Sequence, residues 1–210
     1  AEALSDVVCE VPRLMGNPQA ALMGLGRHVI LDPNVHKLAL NLTPPSLDDQ
    51  RSDFARVRDA LEELGFQVRA SVAVLRNIPR VLRVAECQVT AVFVGQDLLS
   101  LEPGDTTARS FGLAFDIGTT TVVGMLMDLN SGAPAAVCSE LNGQAIHGAD
   151  VISRISHTML NESGLDELNS LIVDTMRSLI RRLLSDAGVE PHEVYEVVLA
   201  GNATMFHLLL

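Results

Sequence analysis

AFDIGTTTVVGML, residues 114–126, places a carboxylate, a glycine and three threonines between two apolar runs. The two runs are short and rich in residues that favour strands, so the stretch predicts a strand, a tight turn at Gly118 and a returning strand. The tip of such a hairpin leaves backbone N–H groups without a partner, and Gly118 tolerates a positive φ and the close approach of a ligand. These amides favour an anion, and the hydroxyls of Thr119, Thr120 and Thr121 add donors.

Asp116 ends the first of these strands, beside the same space. A carboxylate repels a bare phosphate, and it becomes favourable when a divalent cation lies between the two groups. The stretch therefore predicts binding of a nucleotide with Mg2+, in which Asp116 holds the metal through water and the glycine and threonines contact phosphate. A plain hairpin turn with threonines at exposed strand positions remains an alternative, because Thr is a common strand residue.

The sequence around the hairpin predicts a mixed sheet with helices packed against it. Strand-like runs at 111–116, 121–129 and 134–141 form an antiparallel meander, and GADVISRISHTM and residues 163–187 have helical patterns. EVVLA then predicts a strand, Gly201 a turn, and NATMFHLLL a further helix. The order β-β-β-α-α-β-α indicates a mixed sheet.

The first half of the chain predicts a small α+β domain without obvious chemistry. Residues 34–42 alternate as a half-buried strand, and the helix that follows is expected to begin at an N-cap Ser46. A second helical stretch, 71–85, is expected to be interrupted at Pro79. QVTAVFV and LLSLE, joined by Gly95-Gln96-Asp97, predict a hairpin.

These patterns divide the chain into three parts, with a turn-rich boundary at EPGDTTARS. Residues 1–33 are expected to be a linker with one short helix over 18–23, residues 34–107 the small α+β domain, and residues 108–210 the mixed-sheet domain. The chain starts without Met and ends at HLLL in a helical pattern, and both features favour a fragment.

Composition excludes several classes of protein. The apolar fraction of 48% and charged fraction of 20% are typical of a globular domain. A net charge of −11 argues against nucleic-acid binding, which needs basic patches. Lys37 is the only lysine, so a Lys-based phosphate loop is excluded. No run reaches the roughly 18–20 apolar residues of a membrane span, and the N-terminus lacks the basic region of a signal peptide.

The cysteines and histidines indicate no metal site beyond Mg2+. Cys9, Cys87 and Cys138 lie far apart, which favours a reduced, cytoplasmic setting and cannot supply the roughly four ligands of an iron–sulfur cluster. His147 and His157 show no ligand spacing with other His or Cys residues. His207, on an apolar helix, is expected to be a packing residue.

Further candidate site residues lie downstream of the hairpin. Asp150 opens a helix, as an N-cap or as a second carboxylate that faces the metal or the attacking water. Gln144 and Arg154 are candidate cleft residues. Gly201 and Asn202 form a strand-to-helix turn, which caps the helix, lines the cleft, or does both.

Three pieces of the chain resemble a known family. They are FGLAFDIGTTTVVGMLMDLNSG (111–132), LNGQAIHGADVISRIS (141–156) and VVLAGNATMFHLLL (197–210), and PPSLDDQRSDFARVRDAL (44–61) and EPGDTT (102–107) fit the same family. The D-x-G-T-T-T motif resembles the first phosphate motif of the actin/sugar kinase/heat-shock-protein superfamily. The combination resembles, more specifically, the ATP-dependent reductive activators of corrinoid proteins.

The resemblance implies a protein of four parts: a 2Fe–2S domain, a linker, a small middle domain and an actin-like (ribonuclease H-like) ATPase domain. This chain would hold the linker, the middle domain and the first ATPase half. The implied function returns an inactive Co(II) corrinoid to Co(I) with one electron from the cluster, at the expense of ATP. The implied cofactors are ATP, Mg2+ and, outside this chain, the 2Fe–2S cluster, and the implied partner is a corrinoid protein or methyltransferase. Oligomeric state stays open, with a homodimer through the ATPase domain as one option.

Two other functions remain compatible with the sequence. A small-molecule kinase of the same superfamily would use the same hairpin but would need a substrate pocket and a catalytic carboxylate elsewhere. A non-catalytic docking module would have the same hairpin with nothing bound to it.

Overall fold

The computed structural model describes residues 31–210, so the short helix expected over 18–23 lies outside the described residues. The described part forms two mixed four-stranded sheets. Its strands are β1 (Val35–Asn41), β2 (Arg69–Ala70), β3 (Gln88–Val94), β4 (Asp97–Pro103), β5 (Phe111–Ile117), β6 (Thr121–Asp128), β7 (Pro134–Leu141) and β8 (Val194–Gly201). Its α-helices are α1 (Asp53–Glu63), α2 (Val72–Val84), α3 (Val151–Leu160), α4 (Gly164–Ala187) and α5 (Ala203–Leu209), with 3-10 helices at Gly143–His147 and Pro191–Glu193.

The first sheet has the strand order β1-β3-β4-β2. β3 and β4 form the predicted hairpin, and the short strand β2, which the sequence pattern did not indicate, lies parallel to β4. α1 and α2 contribute to the core on one face of this sheet. Val57 and Leu61 of α1 and Ile78 of α2 are almost completely buried there. The predicted α+β character of this half is therefore confirmed.

α1 begins later than the sequence predicted. Ser52, not Ser46, is its N-cap, and the Ser52 hydroxyl accepts a hydrogen bond of 3.2 Å from the Ala55 amide. Ser46 instead closes a local turn with the Asp49 amide, at 3.1 Å. Ion pairs with Arg51 and Arg56 hold Asp49 in this loop. Asp49 is therefore not available for the first turn of a helix.

The expected interruption at Pro79 is also wrong, because α2 continues through it. Ile78 and Leu82 on the inner side of α2 are 1% and 2% exposed. Burial of these two side chains outweighs the single backbone hydrogen bond that proline removes from a helix.

The second sheet has the order β7-β6-β5-β8, with β8 parallel to β5. β5, β6 and β7 form the predicted antiparallel meander. Phe115 and Ile117 of β5 pack with Leu179 and Leu183 of α4 in one buried cluster. α4 approaches β6 so closely that a Cβ on Gly124 would lie 3.0 Å from Leu183 Cδ1. The predicted mixed sheet with packed helices is confirmed.

One detail of α5 differs from expectation. His207 is exposed on α5, so its interpretation as a packing residue is wrong. Met205 and Leu208, at 1% and 4% exposed, occupy the buried side of that short helix instead. None of the helices in residues 31–210 combines the length and the apolar character that crossing a membrane requires.

The only lysine of the chain joins the two sheets. Lys37 Nζ of β1 lies 2.9 Å from a Glu102 carboxylate oxygen, the Arg109 carbonyl oxygen and the Tyr195 hydroxyl of β8. Tyr195 in turn donates to Glu102 at 2.6 Å. Burial opposes ionisation of Glu102, but hydrogen bonds from Thr106, Tyr195 and Lys37 hold its pKa below the usual value. The Lys37 side chain is 4% exposed, so this charged group is committed to the contact between the sheets.

Candidate functional site

Gly118 starts the turn between β5 and β6. Its amide donates to the Thr121 carbonyl oxygen at 3.1 Å. Gly118 is not among the glycines with positive φ in the described residues. The expectation that the turn needs a positive φ at Gly118 is therefore wrong. A Cβ at this position would lie 2.5 Å from the Thr121 carbonyl oxygen, which is a clash with backbone. Glycine is therefore needed because the turn closes tightly on itself.

Three consecutive carbonyl groups of the tip are bound from beneath. Asn142 Nδ2 donates to Gly118 O at 2.9 Å, and the Asn142 amide donates to Thr120 O at 2.9 Å. Arg154 Nη2 donates to the carbonyl oxygen between them, that of Thr119. The carbonyl of one residue and the N–H of the next point in opposite directions across a trans peptide. The amides of Thr119 and Thr120 therefore point away from the clamp.

These two amides have the character of an anion-binding nest. Among the hydrogen bonds of residues 31–210, none has the amide of Thr119 or Thr120 as its donor. Thr120 is exposed and Thr119 is half-buried, so the donors are accessible to a ligand. Successive unpaired backbone N–H groups at a turn favour a phosphate or carboxylate.

The guanidinium of Arg154 is a buried positive charge under this tip. Arg154 is 0% exposed and donates to Gly148 O at 3.1 Å and to Gln144 Oε1 at 3.0 Å, in addition to Thr119 O. Burial lowers the pKa of Arg154, and the nearby Asp150 charge opposes this effect, but arginine remains protonated in proteins. All hydrogen-bond acceptors of this guanidinium are neutral. The charge of Arg154 therefore attracts an anion at the tip, whereas the nearby carboxylates of Asp116 and Asp150 repel one unless a cation lies between them.

Gln144 and Arg154 were predicted to line a cleft, and the structure instead buries both beneath the hairpin. Gln144 is 0% exposed and its Nε2 donates to Leu168 O of α4 at 2.9 Å. Asn142, for which the sequence pattern predicted no role, is 1% exposed and also caps the first 3-10 helix by accepting a hydrogen bond from the Gln144 amide at 3.0 Å. Asn is a common N-cap residue, so the sequence can indicate the capping role of Asn142 but not its contact with Gly118.

Asp116 lies on the opposite face of β5 from the core. Its neighbours Phe115 and Ile117 are 2% and 1% exposed, whereas Asp116 itself is exposed, as strand alternation requires. Asp116 pairs in register with Val123 of β6 and Ala200 of β8. The carboxylate is thus two residues before Gly118, and no hydrogen bond to it occurs within the described residues.

The turn after β8 lies beside the hairpin tip. Gly201 pairs with Ile117, and a Cβ on Gly201 would lie 3.2 Å from the Ile117 carbonyl oxygen. Asn202 caps α5 by accepting from the Met205 amide at 3.0 Å, and its Nδ2 lies 3.5 Å from Thr119 Oγ1. The structure therefore brings Asn202 and the threonine turn to the same edge of the sheet.

Asp150 is the N-cap of α3. Its two carboxylate oxygens each lie 2.9 Å from Ser153, one from the amide and one from the hydroxyl. These hydrogen bonds, the backbone one first, lower the pKa of Asp150. Asp150 is exposed and four residues before Arg154, so the N-terminus of α3 lies next to the tip. No hydrogen bond or ion pair of residues 31–210 joins Asp150 to Asp116.

The fold and this edge define an α/β protein with a mixed sheet, in which the carbonyl groups of the β5–β6 turn are hydrogen-bonded and the amides of the turn face outward. Comparison with known proteins assigns the family. Residues 24–108 match the model of the RACo linker region, and residues 111–210 match that of the RACo middle region. The chain belongs to the RACo family.

Two individual relatives support this assignment. The corrinoid activation enzyme RamQ of Eubacterium limosum is 40% identical over 100 residues, which are 48% of this chain and 17% of RamQ. A solved structure, a reductive activator for a corrinoid, iron-sulfur protein, is 36% identical with a TM-score of 0.77 over 88% of this chain and 30% of that chain. The predicted α/β fold class is confirmed by this match. The chain spans less than a third of the length of either relative.

Proposed function

We propose that the edge formed by the hairpin tip and the turn after β8 binds the phosphates of Mg-ATP. The observation that carries this proposal is the carbonyl clamp, because Asn142 and Arg154 turn the amides of the tip outward. Gly118 closes the turn, and Thr119, Thr120 and Thr121 supply amides and hydroxyls. Arg154 adds a buried positive charge with no carboxylate hydrogen-bonded to it.

Asp116 is the residue that would hold Mg2+, through its coordinated water. Its carboxylate is exposed two residues before Gly118, and Mg2+ prefers oxygen ligands and keeps several waters. Gly201 allows the turn after β8 to approach β5, and Asn202 presents an amide group beside Thr119. The two hydrogen bonds with Ser153 fix the position of the Asp150 carboxylate. Its solvent-facing side would orient the attacking water.

The activity proposed for the protein that contains this chain is ATP-dependent reductive activation of a corrinoid protein or methyltransferase. The name of one relative refers to corrinoid activation, and that of the other to reductive activation of a corrinoid, iron-sulfur protein. One electron from a 2Fe–2S centre outside this chain would reduce Co(II) to Co(I). ATP can drive such a step only if nucleotide binding changes the affinity of the activator for the two cobalt states. The chain is proposed to contribute the first phosphate-binding half of the ATPase domain.

The proposed organisation keeps the boundaries predicted from the sequence. The proposed parts are residues 1–33, the small α+β domain 34–107, which lies within the match to the linker-region model, and the first ATPase half 108–210, which contains the match to the middle-region model. The two sheets share no strand, and each has its own hydrophobic cluster, which supports a boundary near residue 107. A cytoplasmic location and a homodimer through the ATPase domain stay predictions.

The test uses the complete gene product, a reductant and a corrinoid iron–sulfur protein. Cobalt reduction is followed by visible absorption with and without Mg-ATP, and Mg-ATP binding is measured by calorimetry. Asp116→Asn is expected to weaken Mg-ATP binding and to remove the ATP effect on cobalt. Asp48→Asn is the control, because Asp48 is an exposed carboxylate in the other half of the chain.

The outcomes separate the alternatives. Mg-ATP binding without any effect on cobalt, together with phosphorylation of a small molecule, would favour the kinase alternative. Failure to bind Mg-ATP at all would favour a docking module. Reduction of cobalt that is equally fast without ATP would remove the proposed coupling.

A further inference from the structure

Two histidines and a glutamate from three different elements converge on one point. His147 ends the first 3-10 helix, His157 lies in the last turns of α3, and Glu167 lies in the first turn of α4. One ligand atom from each lies within 4.8 Å of the other two. The two imidazole rings are stacked, with centroids 4.1 Å apart. Both Nε2 atoms face the same oxygen of Glu167.

We propose that His147, His157 and Glu167 form a binding site for a divalent transition-metal ion of the Zn2+ class. Glu167 Oε2 lies 3.0 Å from His157 Nε2 and 3.8 Å from His147 Nε2. A tetrahedral ion with bonds of about 2.0–2.1 Å places its ligands about 3.3 Å apart, which is between these two distances. Small side-chain rotations therefore bring the three atoms to metal-binding positions.

The donor set selects the kind of ion. Two imidazole nitrogens and one carboxylate oxygen suit Zn2+, Co2+, Ni2+ or Fe2+, whereas Mg2+ and Ca2+ prefer oxygen ligands alone. The side chains are 26% exposed for His147, 17% for His157 and 43% for Glu167. Water can thus reach the point of convergence and fill the remaining coordination positions.

Neighbouring polar groups hold two of the ligands in place. The Ser163 hydroxyl donates to Glu167 Oε1 at 2.6 Å, which leaves Oε2 directed at the histidines. Asn161 Nδ2 lies 3.1 Å from His157 Nδ1. Asn161 Nδ2 also donates to the His157 carbonyl oxygen at 3.0 Å. Metal binding through Nε2 requires the proton on Nδ1, so it would exchange these two contacts of Asn161 for one from Nδ1–H to the Asn161 amide oxygen. Such outer partners orient ligands in known metal sites.

Binding replaces the hydrogen that joins His157 to Glu167 in the metal-free protein. The ion takes the Nε2 lone pairs of two neutral imidazoles and one oxygen of the carboxylate, and any proton on these groups leaves to solvent. The ion then links the 3-10 helix, α3 and α4. α3 also carries Arg154, which donates to Thr119 O, so the linked elements are those that support the hairpin tip.

The site is tested by titrating the chelator-treated complete gene product with Co2+ and Zn2+ without nucleotide. One equivalent of Co2+ is expected to give the visible absorption of a low-coordinate nitrogen-ligated ion, and Zn2+ is expected to displace it and raise Tm. Mg2+ in excess is expected to do neither. His147→Gln and Glu167→Gln are each expected to weaken Co2+ binding at least about tenfold, and Ser163→Ala by roughly tenfold, as outer-shell changes do.

Two controls separate this site from other binding. His207→Gln removes an exposed histidine of α5 and should leave Co2+ binding unchanged. Asp116→Asn should also leave it unchanged, which distinguishes the site from the proposed Mg-ATP edge. Co2+ absorption that persists in the double variant His147→Gln/His157→Gln, with a metal-free Tm showing it is folded, overturns the proposal. So does an equal loss in His207→Gln.

Discussion

Arg154 of α3 donates a hydrogen bond to the carbonyl oxygen of Thr119 at the tip of the β5–β6 hairpin. The two residues are 35 positions apart, and the guanidinium is completely buried. The bond connects α3 to the turn that is proposed to bind phosphate. Affinity for phosphate should therefore depend on a residue that cannot itself touch the ligand.

Arg154→Met is expected to lower both stability and affinity for Mg-ATP. It leaves buried acceptors on Thr119, Gly148 and Gln144 unpaired, at about 1–3 kcal/mol for each acceptor that water does not reach. Mg-ATP should bind at least about tenfold more weakly in calorimetry below the Tm of the variant, because the amides of the tip lose their orientation and the buried charge is gone.

Arg182→Met is the matched control, since Arg182 is an exposed arginine on α4. Arg154→Lys separates charge from geometry, because lysine keeps the charge but lacks the planar fork. If Arg154→Met is less stable but binds Mg-ATP as tightly as the unchanged protein, the clamp has no role in phosphate binding.

Gly118→Ala is expected to open the turn. The new Cβ would lie 2.5 Å from the Thr121 carbonyl oxygen, and backbone cannot move aside as a flexible side chain can. We expect a loss of about 1–3 kcal/mol in the free energy of unfolding, measured with urea, and weaker Mg-ATP binding. Gly104→Ala serves as a comparison, because its Cβ would meet nothing within 4 Å although its φ of +73° is strained. Equal losses in the two variants would contradict the steric explanation.

The local pattern of the sequence was enough for the hairpins, the meander and the order of elements. AFDIGTTTVVGML predicts two strands and a turn because alternation and a tight glycine turn act over a few residues. The same local logic failed at Ser46 and Pro79, where tertiary contacts decided. Ion pairs removed Asp49 from the expected helix, and a buried face carried α2 through its proline.

The parts of the site that were missed depend on distant pairs. Asn142 contacts Gly118 across 24 positions, so no short motif contains both partners. His147 and His157 are 10 positions apart on different elements, and Glu167 is another 10 positions on. Their convergence follows from the way the 3-10 helix, α3 and α4 pack. Ligand spacing along the sequence carries no signal of that packing.

Two variants separate the capping role of Asp150 from its proposed catalytic role. Asp150→Ala is expected to lower the free energy of unfolding by about 1 kcal/mol, since the Ser153 amide loses its acceptor. The free energy of unfolding of Asp150→Asn should stay within a few tenths of a kcal/mol of that of the unchanged protein, because Asn is an equally good N-cap. If the carboxylate orients the attacking water, Asp150→Asn should still lower ATP hydrolysis at least about tenfold in the complete gene product. Unchanged hydrolysis would leave Asp150 with the cap alone.

Glu193 predicts a specific dependence of stability on pH. Arg109 donates two hydrogen bonds to this carboxylate, one of them at 2.6 Å, and the Glu190 amide donates a third at 2.9 Å. The bonds from Arg109 are the main reason that the pKa of Glu193 falls from 4.5 to about 2. A carboxyl with a lower pKa in the folded state binds fewer protons there than in the unfolded state. The contribution of ionised Glu193 to the free energy of unfolding is therefore fully present well above pH 4.5 and is lost progressively as pH falls towards 2.

Urea unfolding at a series of pH values from 6 to 3 measures this contribution as a difference between proteins. Glu193→Gln is expected to be less stable than the unchanged protein at pH 6, and the gap should narrow as pH falls below about 4.5, because protonation removes the same charge from the unchanged protein. Glu162→Gln, at an exposed carboxyl in the loop before α4, should show no gap that depends on pH. A gap for Glu193→Gln that stays constant from pH 6 to 3 would mean that the contact with Arg109 contributes through packing rather than through charge.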